Sequence, residues 1–136
     1  MAETGYNWSS WTTLDAAIAL TVGGTITDTS AEVDLDGKAA CEVSIDTDYS
    51  DHAKATAGLT ISILRTVDGT DWEDAADNPW SFEMPFTQNG TNRRVFAVDP
   101  KMIGSFKIQQ DWGNTTASAV ATTATKYRTA TVPVAS

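Results

Sequence analysis

The segment Ala40-Cys41-Glu42-Val43-Ser44-Ile45-Asp46 decides the fold class of this chain. Its apolar residues Cys41, Val43 and Ile45 alternate with polar ones, which is the spacing of side chains on one face of a β-strand. The run from Leu59 to Arg65 alternates in the same way, and helical periodicity is nearly absent. The pattern therefore predicts an antiparallel all-β protein.

Alternation continues toward the C-terminus, with turn residues between the runs. The stretch from Trp80 to Phe86 predicts an aromatic strand, and Pro85 favours a sheet edge because proline cannot donate to a ladder. Gln88-Asn89-Gly90-Thr91 predicts a hairpin that leads into a returning strand at Arg94 to Val98. Another alternating run extends from Ser105 to Trp112, and the Thr- and Ala-rich C-terminal stretch predicts one or two closing strands.

The segment around Asp68-Gly69 predicts a tight turn, after which Trp72 folds back onto the core. About seven candidate strands follow Glu32, at spacings typical of a sandwich or barrel. We therefore predict an antiparallel β-sandwich, of jelly-roll or immunoglobulin-like type, over residues 31–136. Residues 1–30 show little periodicity and are predicted to form an N-terminal arm or extended segment.

Composition excludes several classes of function. The chain has 136 residues, 41% of them hydrophobic, which suits one globular domain. Its formal net charge of −9 disfavours nucleic acid and anionic membranes as partners, because both are bound through Lys and Arg. The first residues lack the features of a signal peptide, and no apolar run is long enough to span a bilayer. We therefore expect synthesis in a cytoplasm, with no membrane partner.

No catalytic constellation emerges from the sequence. The single histidine, His52, follows Ser50 and Asp51 in a polar loop, but three adjacent residues do not imply the geometry of a triad. Cys41 occupies the apolar face of a predicted strand, where cysteine is ordinarily a small buried hydrophobe. We therefore expect no enzyme activity and no cofactor.

Acidic clusters are the candidates for a metal site, because Ca²⁺ prefers carboxylate and carbonyl oxygens gathered on loops. None of the clusters matches the full calcium-loop pattern. The two strongest candidate loops are 46–51 and 68–74. Their candidate ligands are Asp46, Asp48, Asp51, Asp68 and Asp71.

Five tryptophans in so short a chain also raise the question of an interface. Trp72 and Trp112 are predicted to pack in the core. Trp8 and Trp11 lie in a polar, aperiodic segment, where docking on another subunit and packing on the parent domain are both open. The candidate interface residues are Trp8, Trp11, Trp80, Phe82, Arg93 and Arg94.

Three motifs follow one another in the second half of the chain. They are the turn Asp68-Gly69-Thr70-Asp71-Trp72, the strand Arg94-Val95-Phe96-Ala97-Val98-Asp99 and the strand Phe106-Lys107-Ile108. In this order they resemble small β-sandwich virion proteins of tailed bacteriophages, over about residues 40 to 130. The first 40 residues match nothing in that group, which leaves the mode of attachment open.

The resemblance implies a non-enzymatic structural role. Within the group, a short single-domain chain is similar to capsid decoration, or cement, proteins. Such proteins sit on the exterior of the head, often as homotrimers, and clamp neighbouring subunits of the major capsid protein. A tail or tail-fibre component and a carbohydrate-binding β-sandwich module remain the alternatives.

Overall fold

The structure is a computed structural model that describes residues 5–21, 27–49, 58–66, 68–74, 77, 79–87, 90–101, 103–112 and 120–132, with side chains omitted for 16–21 and 120–121. Its regular elements are all strands. They are β1 (Asn7–Trp8), β2 (Thr12–Thr21), β3 (Thr27–Thr29), β4 (Val33–Asp34), β5 (Ala40–Asp48), β6 (Thr60–Arg65), β7 (Trp80–Glu83), β8 (Thr91–Val98), β9 (Ser105–Asp111) and β10 (Val120–Thr131). No helix that could cross a bilayer occurs among the described residues.

The strands form two antiparallel sheets. Sheet 1 has the order β1-β10-β5-β8, with β2 pairing β10 beyond β1, and sheet 2 has the order β3-β9-β6-β7, with β4 pairing β9. This arrangement confirms the predicted antiparallel β-sandwich. The predicted edge position of the aromatic strand is also confirmed, because β7 ends sheet 2.

The core lies between the sheets, on the face that alternation predicts. Cys41, Val43 and Ile45 of β5 are each at most 1% exposed, and Ile61 and Ile63 of β6 face them with the same burial. The other members of this apolar cluster are Val33, Leu35, Tyr49, Leu59, Met84, Val98, Phe106, Ile108 and Trp112. Burial of this apolar surface is the main term that favours folding.

The N-terminal segment is extended along most of its described length. Asn7 and Trp8 pair with Thr131 and Ala130, so β1 is held on the edge of β10. Farther along, β2 continues down the same edge of β10, and β3 pairs with β9 of the other sheet. Residues 7–29 thus contribute strands to both sheets.

The predicted hairpin at residues 88–91 is wrong. Strand β7 pairs with β6 in sheet 2, whereas β8 pairs with β5 in sheet 1, so the chain crosses from one sheet to the other. The aromatic side chains explain the difference, because Phe82 on β7 and Phe96 on β8 pack across the sandwich with ring centroids 5.3 Å apart. Ring packing between sheets takes the place of backbone pairing within one sheet.

The turn after β6 forms as predicted. Gly69 has φ of 80°, a conformation that favours glycine, and Thr66 forms a bridge with Trp72. Trp72 itself is only half-buried, and the ammonium of Lys107 lies 4.5 Å from its ring centroid. The predicted place of Trp72 in the core is therefore wrong, since a surface cation covers the indole.

Gly58 marks a close approach of two chain segments. A Cβ at this position would lie 2.1 Å from the carbonyl oxygen of Met84, which is backbone and cannot move aside cheaply. The neighbouring amide of Met84 donates to the carbonyl of Leu59 at 2.7 Å. Only glycine fits this crossing without a backbone shift.

Candidate functional site

The predicted interface residues fall into two groups that border β8. Trp8, Trp11 and Arg93 lie on the solvent side of sheet 1. Trp80, Phe82 and Arg94 lie where β7 and β8 meet at the open side of the sandwich. We call the first group and its neighbours the tryptophan face, which comprises Tyr6, Trp8, Trp11, Glu42, Ser44, Asp46, Arg93, Val95, Ala97, Lys126 and Arg128.

Cross-strand register explains why these side chains share one face. Alternation on β5 turns Cys41, Val43 and Ile45 inward and therefore turns the residues between them outward. Each outward position on β5 is paired with residues on β8 and β10, so Ser44, for example, has Val95 on one side and Lys126 on the other. Directly paired residues lie on the same side of a sheet, and the face is therefore continuous over three strands.

Arg128 organises the centre of the tryptophan face. Its guanidinium carbon lies 4.4 Å from the ring centroid of Trp8 and 4.9 Å from that of Trp11. The Arg128 Nε also donates to Glu42 Oε1 at 2.8 Å, and its Nη2 donates to the same oxygen. One planar cation therefore fixes both indoles through cation–π contacts while a carboxylate fixes the cation.

The indoles nevertheless remain open to solvent. Trp8 is 38% exposed, Trp11 is 40% exposed and Val95 is 49% exposed. Tyr6 adds a ring whose centroid lies 6.4 Å from that of Trp8. Large apolar side chains clustered on a surface, with charged groups around them, are typical of a protein interaction site.

Arg93 and Asp46 form the border of the tryptophan face. The Arg93 Nε donates to Asp46 Oδ1 at 2.5 Å and Nη2 donates to Oδ2 at 3.1 Å, which is a bidentate pair. With Trp11, Val95 and Lys126 they line a shallow depression of about 240 Å³. The pair is largely exposed, so it contributes little to folding and its groups remain available to a partner.

The second group forms an aromatic edge cluster of Trp80, Phe82, Phe96 and Arg94. Trp80 lies 5.3 Å from Phe82 and 5.9 Å from Phe96, measured between ring centroids. The Arg94 guanidinium carbon stands 4.1 Å above the Phe82 ring. Trp80 is 54% exposed, so the cluster closes the core on one side and presents an indole on the other.

Four of the five predicted calcium ligands lie among the described residues. Asp46 pairs with Arg93 on the tryptophan face, and Asp48 ends β5. Asp51 lies outside the described residues. Asp68 and Asp71 lie in the turn after β6. Among the described residues, no group of three or more His, Cys, Asp or Glu side chains is placed to hold a metal ion.

The Asp68 carboxylate accepts backbone hydrogen bonds within its own turn. Its Oδ1 accepts hydrogen bonds from the amides of Asp71 at 2.8 Å and Thr70 at 2.9 Å. These amides, that of Asp71 foremost, hold the pKa of the Asp68 carboxyl below its usual range. The carboxylate thus stabilises the turn conformation directly.

Cys41 is confirmed as a buried hydrophobe, with 1% exposure. Burial first, and the neighbouring Glu42 second, raise the pKa of its thiol to about 12. A thiol with so high a pKa forms almost no thiolate at neutral pH and is a poor nucleophile. His52 lies outside the described residues.

Sequence reasoning missed a polar group between the sheets, which we call the inter-sheet polar cluster. It consists of Asp15, Asp28, Gln110, Thr123 and Thr125. Each has a side-chain oxygen that is shielded from solvent and has no hydrogen-bond partner among the described residues. One signal was present, because Gln110 follows Phe106 and Ile108 at the next inward position of β9.

The two carboxyls of this cluster interact directly. Burial, a hydrogen bond with Asp28 and the charge of Asp28, in that order, raise the pKa of Asp15 to about 6. The cause is general, since two neighbouring carboxylates in a partly desolvated site resist full ionisation. The raised pKa of Asp15 therefore reflects two carboxyls that approach each other in a partly buried place.

Comparison with protein-family models finds no match for this chain, and no curated protein matches it.

Proposed function

We propose that this chain is a non-enzymatic structural protein of a tailed-bacteriophage particle, and specifically a capsid decoration protein. It would bind the exterior of the head and stabilise subunits of the major capsid protein. The motif order from Asp68 to Ile108 supports this proposal through its resemblance to small β-sandwich virion proteins. The confirmed sandwich fold agrees with that group.

The observation that carries the proposal is the exposed, preorganised tryptophan face. Arg128 holds Trp8 and Trp11 in place before any partner arrives, so little side-chain entropy is lost when they become buried. Tryptophan and arginine are the residues that dominate binding energy at protein interfaces. A decoration protein needs such a surface and no reactive group.

The chemistry of the face indicates how the contact would work. The two indoles and Val95 would supply the buried apolar centre, and the pair formed by Arg93 and Asp46 would lie at the solvated border. Arg93, Lys126 and Arg128 outnumber the acids Glu42 and Asp46 on this face, although the whole chain has a formal net charge of −9. We therefore expect the capsid surface beneath it to carry carboxylates.

The aromatic edge cluster is available for a second contact. Among the described strands, β7 ends sheet 2 and the neighbouring β8 ends one side of sheet 1, and Trp80 lies on β7. In a homotrimer, one copy could use this edge against its neighbour while the tryptophan face binds the capsid. Light scattering of the purified chain, with and without Trp80→Ala, would test this assignment of surfaces.

A carbohydrate-binding module is less well supported by the same geometry. Sugar rings stack on open faces of aromatic rings, whereas the guanidinium of Arg128 covers one face of each exposed indole on sheet 1. A protein partner can use the edges of the indoles together with the charged groups around them. Quenching of tryptophan fluorescence by sugars at micromolar to millimolar concentration would instead favour a carbohydrate-binding function.

The direct test is attachment of the purified chain to heads of the encoding phage assembled without it. Wild type should sediment with the heads, and the double variant Trp8→Ala with Trp11→Ala should bind roughly 100-fold more weakly, as expected for loss of two hot-spot tryptophans. Val132→Ala is the matched control, since Val132 is an exposed apolar residue, 64% accessible, outside the tryptophan face. Unchanged attachment of the double variant would contradict this use of the face.

A further inference from the structure

The inter-sheet polar cluster joins the two sheets through oxygen atoms. Asp15, Thr123 and Thr125 belong to strands of sheet 1, and Asp28 and Gln110 belong to strands of sheet 2. Thr125 is the cross-strand partner of Asp15, and Gln110 is the cross-strand partner of Asp28. Strand β2 contacts β3, and the interaction between the Asp15 and Asp28 carboxyls agrees with both pairs lying together.

Burial makes the lack of partners significant. Gln110 and Thr125 are 0% exposed and Thr123 is 1% exposed. Buried polar groups are almost always hydrogen-bonded, because one left unsatisfied has lost its water without gaining a partner. Five side chains of one cluster each leave an oxygen unsatisfied, and Gln110 leaves its Nε2 donor unsatisfied as well. Such a concentration of lone pairs indicates a bound positive ligand.

The donor set selects among cations. The ligands are carboxylate, amide and hydroxyl oxygens, with neither imidazole nor thiolate, which disfavours Zn²⁺. Two carboxylates match the charge of a divalent ion. Ca²⁺ accepts six to eight oxygens in irregular geometry, whereas Mg²⁺ requires near-ideal octahedral geometry and retains its waters. Oxygens drawn from four strands of two sheets suit the more tolerant ion.

We propose that the inter-sheet polar cluster is a Ca²⁺ site that ties sheet 1 to sheet 2. Asp15 Oδ2, Asp28 Oδ2, Gln110 Oε1, Thr123 Oγ1 and Thr125 Oγ1 are its ligands, with water completing the shell. The site is distinct from the loops at 46–51 and 68–74. Because the ion binds the folded chain, it stabilises the sandwich by mass action.

The test is thermal unfolding and calorimetric titration of the full chain at pH 7.5, with CaCl₂ or with a chelator. At saturating Ca²⁺ the unfolding midpoint should rise by roughly 5 °C or more, and Mg²⁺ at the same concentration should have a much smaller effect. No shift and no heat of binding at millimolar Ca²⁺ would overturn the proposal. In that case buried water satisfies the cluster.

Two substitutions assign the binding to this cluster. Asp28→Asn keeps the shape but removes a charge and should weaken Ca²⁺ binding roughly tenfold or more, on the scale of lost metal-site contacts. Asp34→Asn is the matched control, because Asp34 is an exposed aspartate on β4 of the same sheet. Calcium binding that survives unchanged in Asp28→Asn would place the ion elsewhere.

Thr125→Val tests whether the Thr125 hydroxyl binds the ion or only supports the fold. The substitution is nearly isosteric and removes only a hydroxyl that has no partner among the described residues. In chelator the variant should unfold at or above the wild-type midpoint, because a buried unsatisfied oxygen has gone. In Ca²⁺ its midpoint should rise less than that of wild type. A variant destabilised in chelator and unchanged in its response to Ca²⁺ would contradict the assignment.

Discussion

The two outer faces of the sandwich differ in what they show to solvent. The outer face of sheet 1 is the tryptophan face, on which Trp8, Trp11 and Val95 are 38–49% exposed. On sheet 2 the outward positions of β6 and β9, among them Ser62 and Lys107, are polar except for Leu64, which is 4% exposed. Among the described residues, the large exposed hydrophobic side chains include none at an outward position of sheet 2.

Each face also has a cation over an indole, but the exposure of the indoles differs between the two faces. On sheet 2, Lys107 lies over a half-buried Trp72, and Leu64, the cross-strand partner of Lys107, is 4% exposed. On sheet 1, Arg128 lies against two indoles that remain open. Sheet 2 thus covers its apolar groups with its own chain, whereas sheet 1 leaves apolar groups exposed.

The strongest test of this difference between the faces is to introduce an arginine on each of them. Val95→Arg would force a cation into the apolar centre of the tryptophan face and should weaken head attachment roughly 100-fold or more, because a buried unpaired charge costs several kcal/mol. Ser62→Arg is the counterpart on sheet 2 and should leave attachment unchanged. Sedimentation of each variant with heads measures both effects, and circular dichroism checks their folding.

Equal losses from the two arginine substitutions would mean that attachment does not distinguish the faces. A loss confined to Ser62→Arg would move the binding surface to sheet 2. Either result contradicts the assignment of the tryptophan face.

Removing the cation from each face gives a smaller effect. Arg128→Ala should weaken attachment roughly tenfold, because Trp8 and Trp11 lose the group that orders them and Glu42 loses its partner. Arg128→Lys should fall between this variant and wild type, since an ammonium keeps the charge but lacks the planar fork. Lys107→Ala on sheet 2 should have no effect on attachment. Fluorescence should show more mobile tryptophans in Arg128→Ala than in wild type.

The smallest expected effect concerns the exposed ion pairs. Arg93→Ala at the border of the tryptophan face should reduce attachment only severalfold, mainly through the association rate, and the loss should shrink at high salt. Arg65→Ala is its counterpart, because Arg65 forms a similar exposed pair with Glu73, at 2.9 Å, away from this face. A large, salt-independent loss in Arg93→Ala would show that Arg93 is buried in the contact.

The sequence predicted which residues face the core in those strands that have one apolar face. Alternation identified the inward residues of β5 and β6 because burial on one side imposes a period of two. It could not say which strands share a sheet. The turn signal at 88–91 looked like a hairpin, but β7 and β8 pair with strands of different sheets, and Phe82 packs against Phe96 between those sheets.

The candidate surface was predicted only in part. Trp8, Trp11 and Arg93 were identified by residue type. Arg128 was missed because it lies about 120 residues from the indoles in the chain and reaches them only where the N-terminal segment contacts β10. The hydrogen bond from the Thr129 amide to Ser9 Oγ belongs to the same contact. The inter-sheet polar cluster was missed for a related reason. Its members are ordinary polar residues in sequence, and their burial follows from β2 and β3 meeting across the two sheets.

The measurement that tests the central claim most directly is quantitative mass spectrometry of purified particles of the phage to which the proposal assigns this chain. It gives the number of copies of this chain relative to the major capsid protein. A capsid decoration protein should be present at a ratio near one or at a simple fraction of it. A few to a few dozen copies per particle would assign the chain to the tail or its fibres, and its absence from particles would contradict a virion role altogether.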